Sequence, residues 1–156
     1  MTLLPIKQTM EENEAFAKNP LCNESLGMCI KFYKRVGFDP PWICYYVEEN
    51  NQLVGSAAFK GRPINNTVEI SYGTMESHRQ QGVGTRICKH LVELSLATDP
   101  SVRITARTLP EKSYSTRILE KNDFVLLGFV TDHEDGEVWE WEYKKENLGY
   151  YFIATE

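Results

Sequence analysis

Little in this sequence points toward metal, disulfide, membrane or nucleic-acid chemistry, and each shortage removes a class of function. The four cysteines, Cys22, Cys29, Cys44 and Cys88, never fall at C-x-x-C spacing, and the histidines, His78, His90 and His133, are not clustered near them. Zinc and disulfide frameworks both need such spacing, so the expectation is no metal and reduced, partly buried thiols. No apolar run approaches the roughly 20 residues of a membrane span. The segment Met1–Lys7 also lacks the apolar core of a secretory leader, so a cytoplasmic protein without a membrane partner is expected. Lys and Arg number 17 against 22 Asp and Glu, a formal net charge of -5, which argues against nucleic acid because phosphate binding wants a basic face. Neither G-x-G-x-x-G nor a G-K-[ST] ending occurs, which argues against a dinucleotide fold and a Walker-type nucleotide enzyme.

What is present is an ordinary globular composition, 42% hydrophobic and 25% charged over 156 residues, read as one domain spanning 1–156. A chain of this size buries roughly 70% of its unfolded surface without a staple. Helical spacing predicts amphipathic helices over about 8–18 and 24–36, stopped by Gly37 and the pair Pro40-Pro41. Residues 42–48 and 53–60 read as a β-hairpin around Glu49-Asn50-Asn51-Gln52, and 67–74 as a third strand. From Val83 the pattern turns helical, with Ile87, Leu91 and Leu94 on one stripe, until Asp99-Pro100. A strand over 102–107 completes a strand-loop-helix-strand unit, whose two strands should pair in parallel. A helix over 113–122 and strands over 124–130 and 138–143 follow, with a hairpin turn over 132–136. Trp139, Trp141 and Tyr143 alternate with Glu140 and Glu142, giving one aromatic face, expected in the core, and one acidic face.

Arg79-Gln80-Gln81-Gly82-Val83-Gly84-Thr85 stands where the third strand ends and the long helix begins. Unpaired N–H groups and the positive end of the helix dipole suit a pyrophosphate there, and glycines let the backbone approach it. Thr85 adds a hydroxyl donor. A structural turn without a ligand is the alternative.

This loop resembles the [Q/R]-x-x-G-x-[G/A] cofactor loop of the GNAT acetyltransferases, with Arg79, Gly82 and Gly84 in its fixed positions. Before it, Glu69-Ile70-Ser71-Tyr72-Gly73 is similar to the E-I-G-Y-W strand of the branch that acetylates ribosomal-protein N-termini. After it, Pro110 to Phe124 is similar to that branch's P-E-N-x-x-S-x-R-V-L-E-K-x-G-F, with Lys112 in place of Asn and Asp123 in place of Gly. The likeness is close over the C-terminal half and holds only in element order over the N-terminal third. It implies an α/β GNAT fold, a mixed central sheet of about six to seven strands flanked by about four helices, with the cofactor site at the strand-loop-helix junction.

The resemblance implies acetyl-CoA as cosubstrate and direct attack by a primary amine, either a protein N-terminus or a small molecule such as a polyamine or amino sugar. The cofactor arm is expected along Tyr72 to Thr74, with Thr74 N–H donating to the thioester oxygen and Arg79, Gln80, Gln81, Gly82, Val83, Gly84 and Thr85 around the phosphates. Lys112 replaces an Asn that holds the arm in relatives. An amine of pKa about 8 to 10 is mostly protonated at neutral pH, so a base helps, and Glu69 is the first candidate, with an ion-pair role as the alternative. The tyrosine that protonates the thiolate in many relatives is replaced by Leu119, leaving Ser115, with Tyr114 as the fallback. Tyr72 is expected to pack. A homodimer is common among such relatives, and a cofactor-binding module without transferase activity is the competing reading.

Overall fold

A computed structural model describes residues 1–145; the remainder of the expected domain, 146–156, lies outside the described residues. The chain opens with a strand that the sequence reading lacks, β1 (Thr2–Pro5), too short to show a period. The helix expected over 8–18 shrinks to one turn, α1 (Glu14–Ala17). The cause is Asn13, which is buried and whose side chain accepts from Lys7 N–H and donates to the carbonyls of Lys7 and Thr9. Those peptide groups are thereby satisfied in a turn, and the helix loses its competitive advantage over 8–13.

A 3-10 turn over Pro20–Cys22 leads into α2 (Asn23–Val36), ended by Gly37 at φ +92°. Strands β2 (Cys44–Glu49) and β3 (Gln52–Phe59) form the expected hairpin. Asn50 and Asn51, at φ +52° and +61°, supply the two left-handed residues of a two-residue hairpin turn. Then come β4 (Thr67–Thr74), α3 (Val83–Thr98), β5 (Arg103–Thr108), α4 (Tyr114–Lys121), β6 (Phe124–Asp132) and β7 (Gly136–Tyr143). Ser113 caps α4 in a reciprocal box with Thr116, which fixes where that helix starts. Among the described residues no helix is long and apolar enough to cross a membrane.

The sheet runs β1-β2-β3-β4-β5-β7-β6, with β4 and β5 parallel through α3 and every other neighbouring pair antiparallel. The fold expected from the sequence is therefore present: among the described residues, a seven-stranded mixed sheet with four α-helices. Alternation along β3 sorts the two faces. A Cβ on Gly55 would lie 2.7 Å from Ile87 Cδ1, so that face carries α3. Tyr46, paired with Ser56 of the opposite face, hydrogen-bonds Ser25 of α2 at 2.6 Å. Val68, Ile70, Ile104, Ala106 and Trp141 bury themselves under α3 and α4. Glu69, Thr105, Arg107, Glu140 and Glu142 thus occupy the opposite face, and the aromatic and acidic faces of β7 separate as the alternation predicts. All four cysteines are free thiols, three of them buried.

Candidate active site

The parallel register of β4 with β5 covers Thr67–Ile70 against Arg103–Ala106 and then stops. Beyond it, β5 continues beside β7, and among the described residues Ser71–Thr74 of β4 keep only β3 as a neighbour. The two strands part, leaving one edge of β4 without a protein partner among the described residues. Lys60 N–H donates to Glu69 O and Met75 N–H to Val54 O, so the odd-numbered residues of this stretch turn their peptide groups toward β3. Strand alternation then turns the N–H groups of Tyr72 and Thr74 into the gap. The sequence expectation needs one correction here: residues 72–74 pair with Ala57, Ser56 and Gly55, and only their other edge is open.

At the end of the gap lies the loop before α3. Gln80 at φ +63° and Gly82 at φ +74° turn the chain sharply, and Gly82 is the N-cap residue with no side-chain cap on the helix. The first helical bond runs from Arg86 N–H to Gly82 O, so Val83, Gly84 and Thr85 have N–H groups with no acceptor inside the helix. Those donors and the helix dipole converge on one spot suited to an anion. Gly84 proves to be a packing glycine. A Cβ there would stand 2.6 Å from Ile118 Cδ1 of α4 and 3.3 Å from Thr74 Oγ1, so its size sets how closely α4 and β4 approach the helix start.

Two anchors of this loop are absent from the sequence reading. The Arg86 guanidinium donates to Gln81 O at 3.0 Å and to both carboxylate oxygens of Glu49, at 2.8 and 3.3 Å. It ties the loop to the β2–β3 hairpin. Asn122 donates to Thr85 O at 3.2 Å and to Ile118 O at 2.9 Å, joining the end of α4 to the first turn of α3. Neither pairing has a local signal, because 37 residues separate each pair. Arg79, Gln80 and Gln81 are exposed, Thr85 is half-buried, and Val83 and Gly84 are buried.

Glu69 stands on the face away from α3, beside Arg107 at 3.7 Å. That guanidinium also meets Asp132 at 3.0 Å and Glu140 at 3.3 Å, so three carboxylates share one arginine. Burial raises the Glu69 carboxyl above its ordinary value; Arg107 and then Lys60 pull it back, and Asp132 and Glu140 push it up again. Asp132 is held down at about 2, first by the backbone N–H of Glu134 in the hairpin turn and then by Arg107. A cleft of about 480 Å3 opens over this face, lined by residues of β4 and β5 together with Lys60, Arg62, Ile64 and Glu140.

The other expected residues lie elsewhere. Tyr72 is half-buried on the α3 face and burial raises its phenol, which agrees with packing. Lys112, Tyr114 and Ser115 are exposed at the start of α4, and no hydrogen bond joins them to Glu69 or to the loop among the described residues. Leu119, at the place of the missing tyrosine, is fully buried. His78, just before the loop, is half-buried and hydrogen-bonds Ser77 and Gln52.

With that geometry in place, the chain belongs to the acetyltransferase (GNAT) family, whose model matches residues 14–124. Over 108 residues it is 34% identical to the uncharacterized N-acetyltransferase YjdG of Bacillus subtilis (strain 168), which covers 69% of this chain and 60% of that protein. The chain thus spans less than two thirds of the length of this curated relative. Among solved structures it is similar to a spermidine N-acetyltransferase SpeG chimera from Vibrio cholerae and hSSAT, at TM-score 0.65 and 15% identity, covering 92% of this chain and 95% of that one. The aminoglycoside acetyltransferase AAC(6')-Ib in complex with coenzyme A matches at TM-score 0.65, with 18% identity over 92% of this chain and 95% of that chain. The RimL ribosomal alpha-N-protein acetyltransferase, also in complex with coenzyme A, matches at 0.63 with 16% identity, covering 90% and 91%. At these identities the structural likeness shows the fold.

Proposed function

We propose that this chain is an N-acetyltransferase that moves the acetyl group of acetyl-CoA to a primary amine by direct attack. The observation that carries the reading is the open edge of β4 at Tyr72 and Thr74, continuous with the uncapped N–H groups of Val83, Gly84 and Thr85. A pantetheine arm paired along that edge would bring its diphosphate to the helix start, with Arg79, Gln80, Gln81 and Gly82 around it. Two neighbours support the cosubstrate, since both AAC(6')-Ib and RimL were solved with coenzyme A bound.

In this reading the amine lone pair adds to the thioester carbon, the carbonyl oxygen takes up negative charge, and the C–S bond then breaks. A strand rises about 3.3 Å per residue, so Tyr72 N–H lies roughly 10 Å along β4 from Glu69 and Thr74 N–H roughly 17 Å. A glutamate acting through one water reaches an amine beside the nearer group and falls short of the farther one. We therefore move the oxyanion donor from Thr74, where the sequence reading puts it, to Tyr72 N–H, and leave Thr74 N–H to the cofactor arm. Glu69 takes the ammonium proton through that water, helped by a carboxyl that burial raises above its ordinary value. The nitrogen of the tetrahedral adduct loses its second proton to solvent, the departing thiolate is protonated through the hydroxyl of Ser115 or Tyr114 at the start of α4, which regains its proton from solvent, and Lys112 contacts the arm.

Acceptors of the neighbours, which include spermidine, aminoglycosides and a ribosomal protein by their names, support an amine acceptor in general. A cytoplasmic location and a homodimer belong to the same proposal. For the dimer, β6 is, among the described residues, an edge strand exposing Val125, Leu126, Leu127 and Phe129. The test is thermal unfolding with excess acetyl-CoA. We expect a rise in Tm that Gly82→Asp removes, because its carboxylate falls where phosphate sits. An unchanged Tm in the parent protein contradicts the proposal, and binding without product over a broad amine panel would favour the non-transferring module.

A further inference from the structure

The face of the sheet away from α3 is electrically divided along β5. At its upper end, next to the gap between β4 and β5, Arg107 is shared by Glu69, Asp132 and Glu140, so negative charge exceeds positive. At its lower end stand Arg62 and Arg103, with Glu142 as the partner of Arg103, while Lys60 stands across the β3–β4 pair from Glu69 and within its electrostatic reach. Among the described residues Lys60 and Arg62 have no carboxylate within ion-pair distance. Lys60 is nevertheless placed. Its ammonium lies 5.9 Å from the centre of the Phe32 ring of α2, and its backbone N–H donates to Glu69 O, so its stem starts beside Glu69. Lys60, Arg62, Arg103 and Arg107 line the same cleft as Glu69 and Glu140.

We infer that the acceptor carries an anionic group, a carboxylate or a phosphate, in addition to its reactive amine. This rests on the acetyltransferase reading and deepens it. The ammonium binds at the carboxylate-rich end, where its proton has an acceptor and the thioester lies alongside. The anion binds at Lys60 and Arg62, which line the cleft and among the described residues have no carboxylate within ion-pair distance. The volume of about 480 Å3 matches a small molecule. Charge arranged in this way selects a dipolar ligand and works against a polyamine, whose second cation would meet Lys60 and Arg62. The overall charge of -5 points the other way, toward a cationic acceptor, and is here outweighed by the local arrangement.

The experiment is a steady-state comparison of matched acceptors: amino acids against their amides, an amino sugar phosphate against the free amino sugar, and spermidine. Each is run with the parent protein and with Lys60→Gln/Arg62→Gln, which keeps side-chain length. We expect kcat/KM for the anionic member of one family to exceed its neutral partner by about tenfold, the scale of one charge-assisted contact. The double variant should bring that ratio toward unity through KM, with cofactor affinity by calorimetry unchanged. The carboxylate and phosphate arms tell the two anions apart. Equal or better turnover of the neutral acceptors or of spermidine overturns this inference and leaves the acetyltransferase reading standing. A variant that keeps the parent's ratio also overturns it. Absence of acetyl-CoA binding, or binding with no product from any acceptor, overturns both.

Discussion

Glu69 sits where burial favours its protonated form while the Arg107 guanidinium, 3.7 Å away, favours the charged one, and burial is the larger effect. A carboxyl raised in the fold is more comfortable protonated, so its contribution to stability is complete below its unfolded value and is lost as pH rises through the folded one. Glu69→Gln should therefore unfold no earlier than the parent at pH 7, because Arg107 keeps Asp132 and Glu140. The same change should lower kcat by about a hundredfold and flatten the acid limb of the pH–rate profile. A variant that loses stability and keeps its rate would assign Glu69 to ion pairing. Asp132 has the opposite sign. Held down at about 2, it stabilises the fold above the ordinary carboxylate value, and that contribution disappears as pH falls toward 2. We expect Asp132→Ala to cost about 1 kcal/mol at pH 7 by chemical denaturation, with the deficit closing in acid.

Helix α3 meets β4 and α4 at Gly84, where a methyl group would collide with Ile118 Cδ1 at 2.6 Å. Gly84→Ala should cost about 1–3 kcal/mol, and Ile118→Val, which deletes the colliding atom, should recover part of it in the double variant. Additive losses in that cycle would show that the two side chains do not compete for the same space. The sequence marks this glycine but misreads its purpose, because a loop glycine looks the same whether phosphate or isoleucine approaches it. Elements with long periods, α3 and the strands on either side of it, were legible to within a residue or so, since burial on one face writes itself into the spacing. The turn over 8–13 was not, because its polar residues fit a helix equally well and only the buried Asn13 side chain, bonded to the peptide groups of Lys7 and Thr9, decides against one. The cofactor loop could be located by its pattern; its anchors at Glu49 and Asn122 belong to distant segments and leave no trace in spacing.

At the scale of the whole molecule, charged side chains gather in the cleft, and among the described residues apolar surface is exposed along β6, where Leu127 is 52% and Phe129 63% accessible. If the proposed dimer uses this edge, Leu127→Lys with Phe129→Lys should halve the mass seen by light scattering and leave cofactor-induced stabilisation in place. A monomeric parent protein would remove the dimer from the account.

The central claim is that the edge of β4 turned toward β5, together with the first turn of α3, is where acetyl-CoA binds. Amide hydrogen exchange followed residue by residue, with and without acetyl-CoA, addresses it directly. We predict new protection at Tyr72, Thr74, Val83, Gly84 and Thr85, with the exposed edge of β6 unaffected. Binding that leaves those five amides exchanging as before would contradict the account.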